Sequence, residues 1–199
     1  MTELDFTWKA PVAGRELVAR PPRFELDELR PWEVMFVDSK DYDVPQRGGY
    51  THALVMNDLK SDAWFKEDET SLKDHGKSFR KIVIKNQIHL VDYPRTVYSD
   101  GCGSMVYVRD EAISMGINYC KIPAYSQSLN TAERVCDLAW SAGRAYLTDT
   151  GALDKHMALA LDYVCYMKLR MATTASRQWL TPYQIIRGHM PTIGHCIPF

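Results

Sequence analysis

Three apolar runs follow one another early in the chain with only turn-length segments between them. They span 32–38, 50–57 and 63–66. The first gap holds Pro45, Gly48 and Gly49, and the second runs from Asp58 to Asp62. Connections this short join antiparallel neighbours. Two later runs, 95–99 and 117–122, each follow a stretch with helical spacing, 70–88 and 105–115. A strand reached through a helix lies parallel to its neighbour. Apolar residues then recur at three- and four-residue steps over 131–147 and 153–171, which predicts two long helices, and Pro182 opens a short last one. The expectation is an α/β chain with a mixed five-stranded sheet, three strands antiparallel and two parallel, and helices on both faces.

Residues 1–30 carry Pro11, Pro21 and Pro22 among scattered charges and read as an extended arm or linker. Residues 31–178 form the expected core, and 179–199 a short tail segment. The formal net charge is −1, which excludes a broad basic field of the kind that announces a nucleic-acid partner. A local patch remains open: Lys73, Lys77, Arg80, Lys81 and Lys85 recur on one helical stretch, either as a solvated face or as a phosphate surface. No apolar run reaches the length of a transmembrane helix, so no membrane partner is expected. The first residues lack the pattern of a secretory signal, and an intracellular location is expected. The 5 cysteines contain no Cys-x-x-Cys pair, which argues for reduced thiols and against a structural zinc site.

Three carboxylates stand out against this framework. Asp38 follows the run Val34-Met35-Phe36-Val37, Asp100 follows Thr96-Val97-Tyr98-Ser99, and Glu133 lies at the start of the 131–147 helix. Acids at strand ends sit where α/β sheets place ligands. Hard divalent cations take oxygen donors from carboxylates and keep waters for a phosphate substrate. The alternatives are turn-favoured aspartates and a glutamate favoured by the helix dipole. Asp137, one helical turn beyond Glu133, is a rival third acid.

Several motifs in order give this chain a resemblance to the catalytic core of retroviral-type integrases, most closely the copia-type retrotransposon branch. Pro31-Trp32-Glu33-Val34-Met35-Phe36-Val37-Asp38 resembles the family's first acid block, and Gly48-Gly49-Tyr50-Thr51-His52-Ala53 the strand after it. Tyr98-Ser99-Asp100-Gly101 resembles the second acid block, and Asn130-Thr131-Ala132-Glu133-Arg134 the third. Thr181-Pro182-Tyr183-Gln184 and Gly188-His189-Met190-Pro191 resemble the segment that follows the core.

The resemblance implies an RNase H-like fold and an Asp38–Asp100–Glu133 catalytic and metal site holding two Mg²⁺ (or Mn²⁺) ions. It implies DNA 3′-end processing and strand transfer into target DNA, with DNA and further copies of the chain as partners, and action in the nucleus. Tyr125, Gln127, Asn130 and Arg134 would then contact DNA. There are departures. The interval from Asp100 to Glu133 is short for the family. Gly101 stands where Asn is usual, and Cys136, Asp137 and Trp140 stand where Asn and Lys often contact DNA. A decayed, integrase-derived interaction domain and an RNase H-like nuclease are therefore the competing expectations.

Overall fold

A computed structural model of the chain describes residues 16–18, 24–87, 94–123, 131–172 and 179–191. Its strands are β1 (Glu16–Val18), β2 (Val34–Asp41), β3 (His52–Asp58), β4 (Trp64–Glu69), β5 (Thr96–Ser99) and β6 (Asn118–Lys121). Its helices are α1 (His75–Gln87), α2 (Val106–Ser114), α3 (Thr131–Thr150), α4 (Met157–Arg170) and α5 (Pro182–Arg187). They form a 6-stranded sheet in the order β1-β6-β5-β2-β3-β4.

The five expected strands are present with the expected senses. β2, β3 and β4 pair antiparallel, and β5 and β6 continue the sheet in parallel from β2. The sixth strand comes from the segment read as a plain arm. Residues 16–18 pair in parallel with β6, register Leu17↔Cys120. They meet main-chain groups that would otherwise be left unpaired at that edge.

Two apolar layers enclose the sheet. On one face Met35, Val37, Leu54 and Met56 pack with Phe79, Ile82 and Val83 of α1 and Val108 and Ala112 of α2. On the other, Ala53 and Val55 pack with Val135, Ala139 and Trp140 of α3 and Ala160 and Leu161 of α4. Val34, Phe36, Tyr98 and Cys120 meet Ala132 on that same side. Alternate residues of β2 thus face opposite layers, as the pleat requires.

Several boundaries differ from expectation. β4 runs on to Glu69 and does not stop at Lys66. The helix expected from Thr70 starts as a 3-10 turn capped by Ser71, whose side chain accepts from Lys73 N–H, and α1 proper begins at His75. The helix expected to end at Gly116 does so, with that glycine at φ +77°. Among the described residues no helix is long and apolar enough to cross a membrane.

The tail helix α5 has the signature its sequence announces. Thr181 accepts from Gln184 N–H (3.1 Å), Gln184 Oε1 accepts from Thr181 N–H (3.0 Å), and Pro182 follows the cap. Thr181→Ala removes one half of this reciprocal box. It is expected to cost about 1 kcal/mol in urea unfolding. Thr181→Ser, which keeps the hydroxyl, should stay within a few tenths of wild type.

Candidate active site

The parallel ladder between β2 and β5 ends at Phe36↔Tyr98. Two residues further along come Asp38, still in β2, and Asp100, one residue past the end of β5, so the register runs both acids toward the same place where the sheet opens. Phe36 and Tyr98 stack there, with ring centroids 5.2 Å apart, on the layer that includes Ala132 of α3. By strand alternation Asp38 faces that layer as well. β2 itself does not stop at Asp38. It stays paired with β3 as far as Asp41↔His52. Asp38 therefore lies inside a strand, at the point where its parallel neighbour has ended, and not at a strand terminus.

Glu133 lies in the first turn of α3 and is half-buried. α3 presents Ala132, Val135, Cys136, Ala139 and Trp140 to the sheet, spacings that make one helical stripe. Glu133 stands at the edge of that stripe, one turn before Cys136 and Asp137.

Electrostatics ties the three acids together. Asp38's carboxyl is pushed up to about 6, chiefly by burial. The Ser39 N–H, 2.9 Å from Oδ1, pulls it down. The negative charges of Asp100 and Glu133 push it up, and a hydrogen bond from the Cys136 thiol pulls it down. Burial and the neighbouring Asp38 hold that thiol well above its ordinary range. Asp100 is exposed, and its Oδ1 accepts from Cys102 N–H at 3.1 Å, which shapes the turn leading into α2. Gly101 between them is left-handed at φ +70°. A Cβ there would stand 2.2–2.6 Å from side-chain carbons of Lys121, so the asparagine implied by the resemblance would require the Lys121 side chain to move aside.

These acids share one field, but among the described residues no group of three His, Cys, Asp or Glu side chains is drawn close enough to hold a metal ion. The donor chemistry fits a hard cation: carboxylate oxygens, one set half-buried with its charge opposed by two like charges.

The other expected site residues divide. Tyr125, Gln127 and Asn130 lie outside the described residues. Arg134 is exposed on α3. Asp137 is 68% exposed and pairs with Lys40 at 2.5 Å, and it is not among the leading influences on Asp38. Trp140 is core: it is 2% exposed and stacks on Tyr42 at 5.5 Å. In the basic stretch, Lys81 and Lys85 pair with Glu67, Arg80 with Glu111, and Lys77 with Asp74. Much of its charge is thus answered within the chain. Sequence reasoning missed Lys40 and the role of Cys136. Cys136 was findable, because it is three residues beyond Glu133; Lys40 was not, because the apolar run of β2 ends at Val37 and only pairing with β3 carries the strand on to it.

Sheet order and helix placement match the fold of a retroviral integrase catalytic core. Solved structures of that class are similar to this chain. One is the HTLV-2 integrase catalytic core domain in complex with magnesium in its trimeric form. It is 17% identical at a TM-score of 0.57, covering 79% of this chain and 98% of that one. The dimeric form of the same domain gives 16% identity and a TM-score of 0.57, covering 79% and 97%. A chain of the simian T-cell lymphotropic virus intasome in complex with the PP2A regulatory subunit B56 gamma gives 14% and 0.60. It covers 94% of this chain and 63% of that one. No family model matches the sequence, and no curated protein does. At these identities the likeness is one of fold.

Proposed function

We propose that this chain is a metal-dependent polynucleotidyl transferase of the retroelement-integrase type, with copia-type ancestry, that trims DNA 3′ ends and joins them to target DNA. The observation that supports it most is the half-buried Asp38 carboxyl, held up to about 6 beside Asp100 and Glu133. Perturbed acids gathered at the carboxyl side of a parallel ladder mark a candidate site.

Asp38, Asp100 and Glu133 would hold two Mg²⁺ or Mn²⁺ ions. When bound, such ions supply activation of an attacking oxygen and stabilisation of a leaving one in an in-line displacement. The chain's own part is to fix the acids. The β2–β5 register runs Asp38 toward Asp100, α3 packed on the sheet carries Glu133 at the edge of its sheet-facing stripe and within the field felt by Asp38, and Ser39 N–H and the Cys136 thiol hydrogen-bond Asp38. The HTLV-2 core was solved as dimer and trimer, and the simian virus chain within an intasome. By analogy we extend self-association, DNA as partner and a nuclear site of action to this chain.

Glu133→Gln tests the assignment on labelled DNA ends in Mn²⁺. End trimming and strand joining should fall by more than the roughly 10–100-fold that outer-shell changes cost at metal sites, while DNA binding persists. Unchanged trimming and joining would remove Glu133 from the site. Cleavage with no joining would favour a nuclease.

A second reading is an interaction domain that keeps the fold without the chemistry. The short Asp100–Glu133 interval and the engagement of Asp137 with Lys40 favour it. Calorimetry separates the two, since a decayed site shows no saturable Mn²⁺ binding that depends on Asp38.

A further inference from the structure

Lys40 stands two residues beyond Asp38 on β2, so strand alternation turns both side chains toward α3. Its ammonium meets Asp137 Oδ1 at 2.5 Å and lies 5.7 Å from the centroid of the Trp140 ring. Trp140 is buried and stacked on Tyr42, so this platform is fixed. Asp137 is one helical turn beyond Glu133. Lys40 and Asp137 both act on the Cys136 thiol, and that thiol hydrogen-bonds Asp38. The ion pair is thus at the rim of the acid cluster and not on a remote surface.

We propose that Lys40 is a phosphate-binding residue of this site. In the free protein Asp137 holds it, and a backbone phosphate of incoming DNA takes it over. The proposal rests on the polynucleotidyl-transferase reading. A phosphodiester approaching Asp38, Asp100 and Glu133 meets like charge, in a chain whose overall net charge is −1. A cation at the rim offsets that repulsion over the last few ångströms. Exchange of partners costs little. The side chains of Lys40 and Asp137 are 36% and 68% exposed, and such a pair contributes little on its own. A phosphate oxygen replaces a carboxylate oxygen with a charge-assisted bond of the same kind. The Trp140 ring keeps the lysine stem at the rim while its partner changes.

A double-mutant cycle on the full chain tests this. A short labelled DNA duplex is titrated by fluorescence anisotropy in EDTA over a range of KCl concentrations, with thermal unfolding confirming that each variant is folded. Lys40→Met should weaken binding by roughly threefold and lower the slope of log affinity against log salt by about 0.9, one phosphate contact. Lys40→Arg should keep both. Asp137→Asn should tighten binding by about threefold because it frees Lys40. That gain should vanish in the Lys40→Met background. A gain that persists there is a general effect of removing negative charge and overturns the proposal, as does a Lys40→Met variant that binds like wild type. If the wild-type chain fails to bind DNA at all, the transferase reading falls with it. If wild type binds and the cycle is additive, only the role of Lys40 falls.

Discussion

Replacing Asp38 by asparagine is expected to give a protein that is inert toward DNA ends, more stable than wild type above neutral pH, and no longer stabilised by Mn²⁺. The carboxyl has its proton affinity raised from the ordinary 3.8 to about 6 by burial and by Asp100 and Glu133. The folded chain therefore keeps this proton to a higher pH than the unfolded chain does. Stability falls as pH rises through that window, because ionisation is harder in the folded state. The interval corresponds to a native-state cost of up to about 3 kcal/mol once the group is fully ionised.

Asparagine removes the charge and can still accept from Ser39 N–H. The variant should gain up to that amount at about pH 8, and the gain should shrink to nothing as pH falls below about 4. Asp58 is also held up to about 6, and it is present in both proteins, so the difference between their urea-unfolding curves isolates Asp38. Mn²⁺ at a hundredfold excess over its Kd should stabilise wild type by about 2.7 kcal/mol. It should do so progressively less below about pH 6, where protons compete for Asp38, and it should leave Asp38→Asn unmoved. Wild type more stable than the variant at about pH 8 without metal would contradict the placement of Asp38 in an acidic cluster.

The parts of this architecture that were legible were those with one dominant signal. Short turns between apolar runs gave the β2–β3–β4 meander, and helix-length intervals gave the parallel pair β5 and β6. Pro182 after Thr181 gave α5. What was illegible depended on partners distant in the chain. The apolar run of β2 ends at Val37 and so predicts an end at Asp38, yet pairing with β3 carries the strand through Ser39 and Lys40 to Asp41. β4 was cut short for a related reason. Its second half, Lys66-Glu67-Asp68-Glu69, is charged, and those charges find partners within the strand and on other elements: Lys66 meets Asp68 of β4 itself at 2.7 Å and Asp162 of α4 at 3.0 Å, and Glu67 meets Lys81 and Lys85 of α1. Charge on an edge strand also discourages pairing with other chains. Trp140 stood out as a departure at a DNA-contact position, but its stacking on Tyr42 fills a core position that helical spacing alone already allowed.

The same strand end holds a pair that carries the second large prediction. Glu69, the last residue of β4, and His75, the first of α1, hydrogen-bond through Oε2 and Nδ1 with both side chains fully buried. They fix the corner at which the chain leaves the sheet for the helix. Among the described residues Glu69 Oε1 and His75 Nε2 have no hydrogen-bond partner, so each residue depends on the single bond between them. His75→Leu leaves the Glu69 carboxyl group in the core without its partner, and Glu69→Leu does the same to the imidazole. Each is expected to cost about 1–3 kcal/mol in urea unfolding, the penalty of a buried polar group left without its partner. The double substitution Glu69→Leu/His75→Leu removes both groups and their orphaned atoms together. It should recover most of the loss, because replacing a buried pair by apolar side chains of similar size is often neutral or stabilising. The coupling between the two sites should then be strongly non-additive. A double variant as unstable as the sum of the single ones would mean that the two side chains act through their shapes and not through each other.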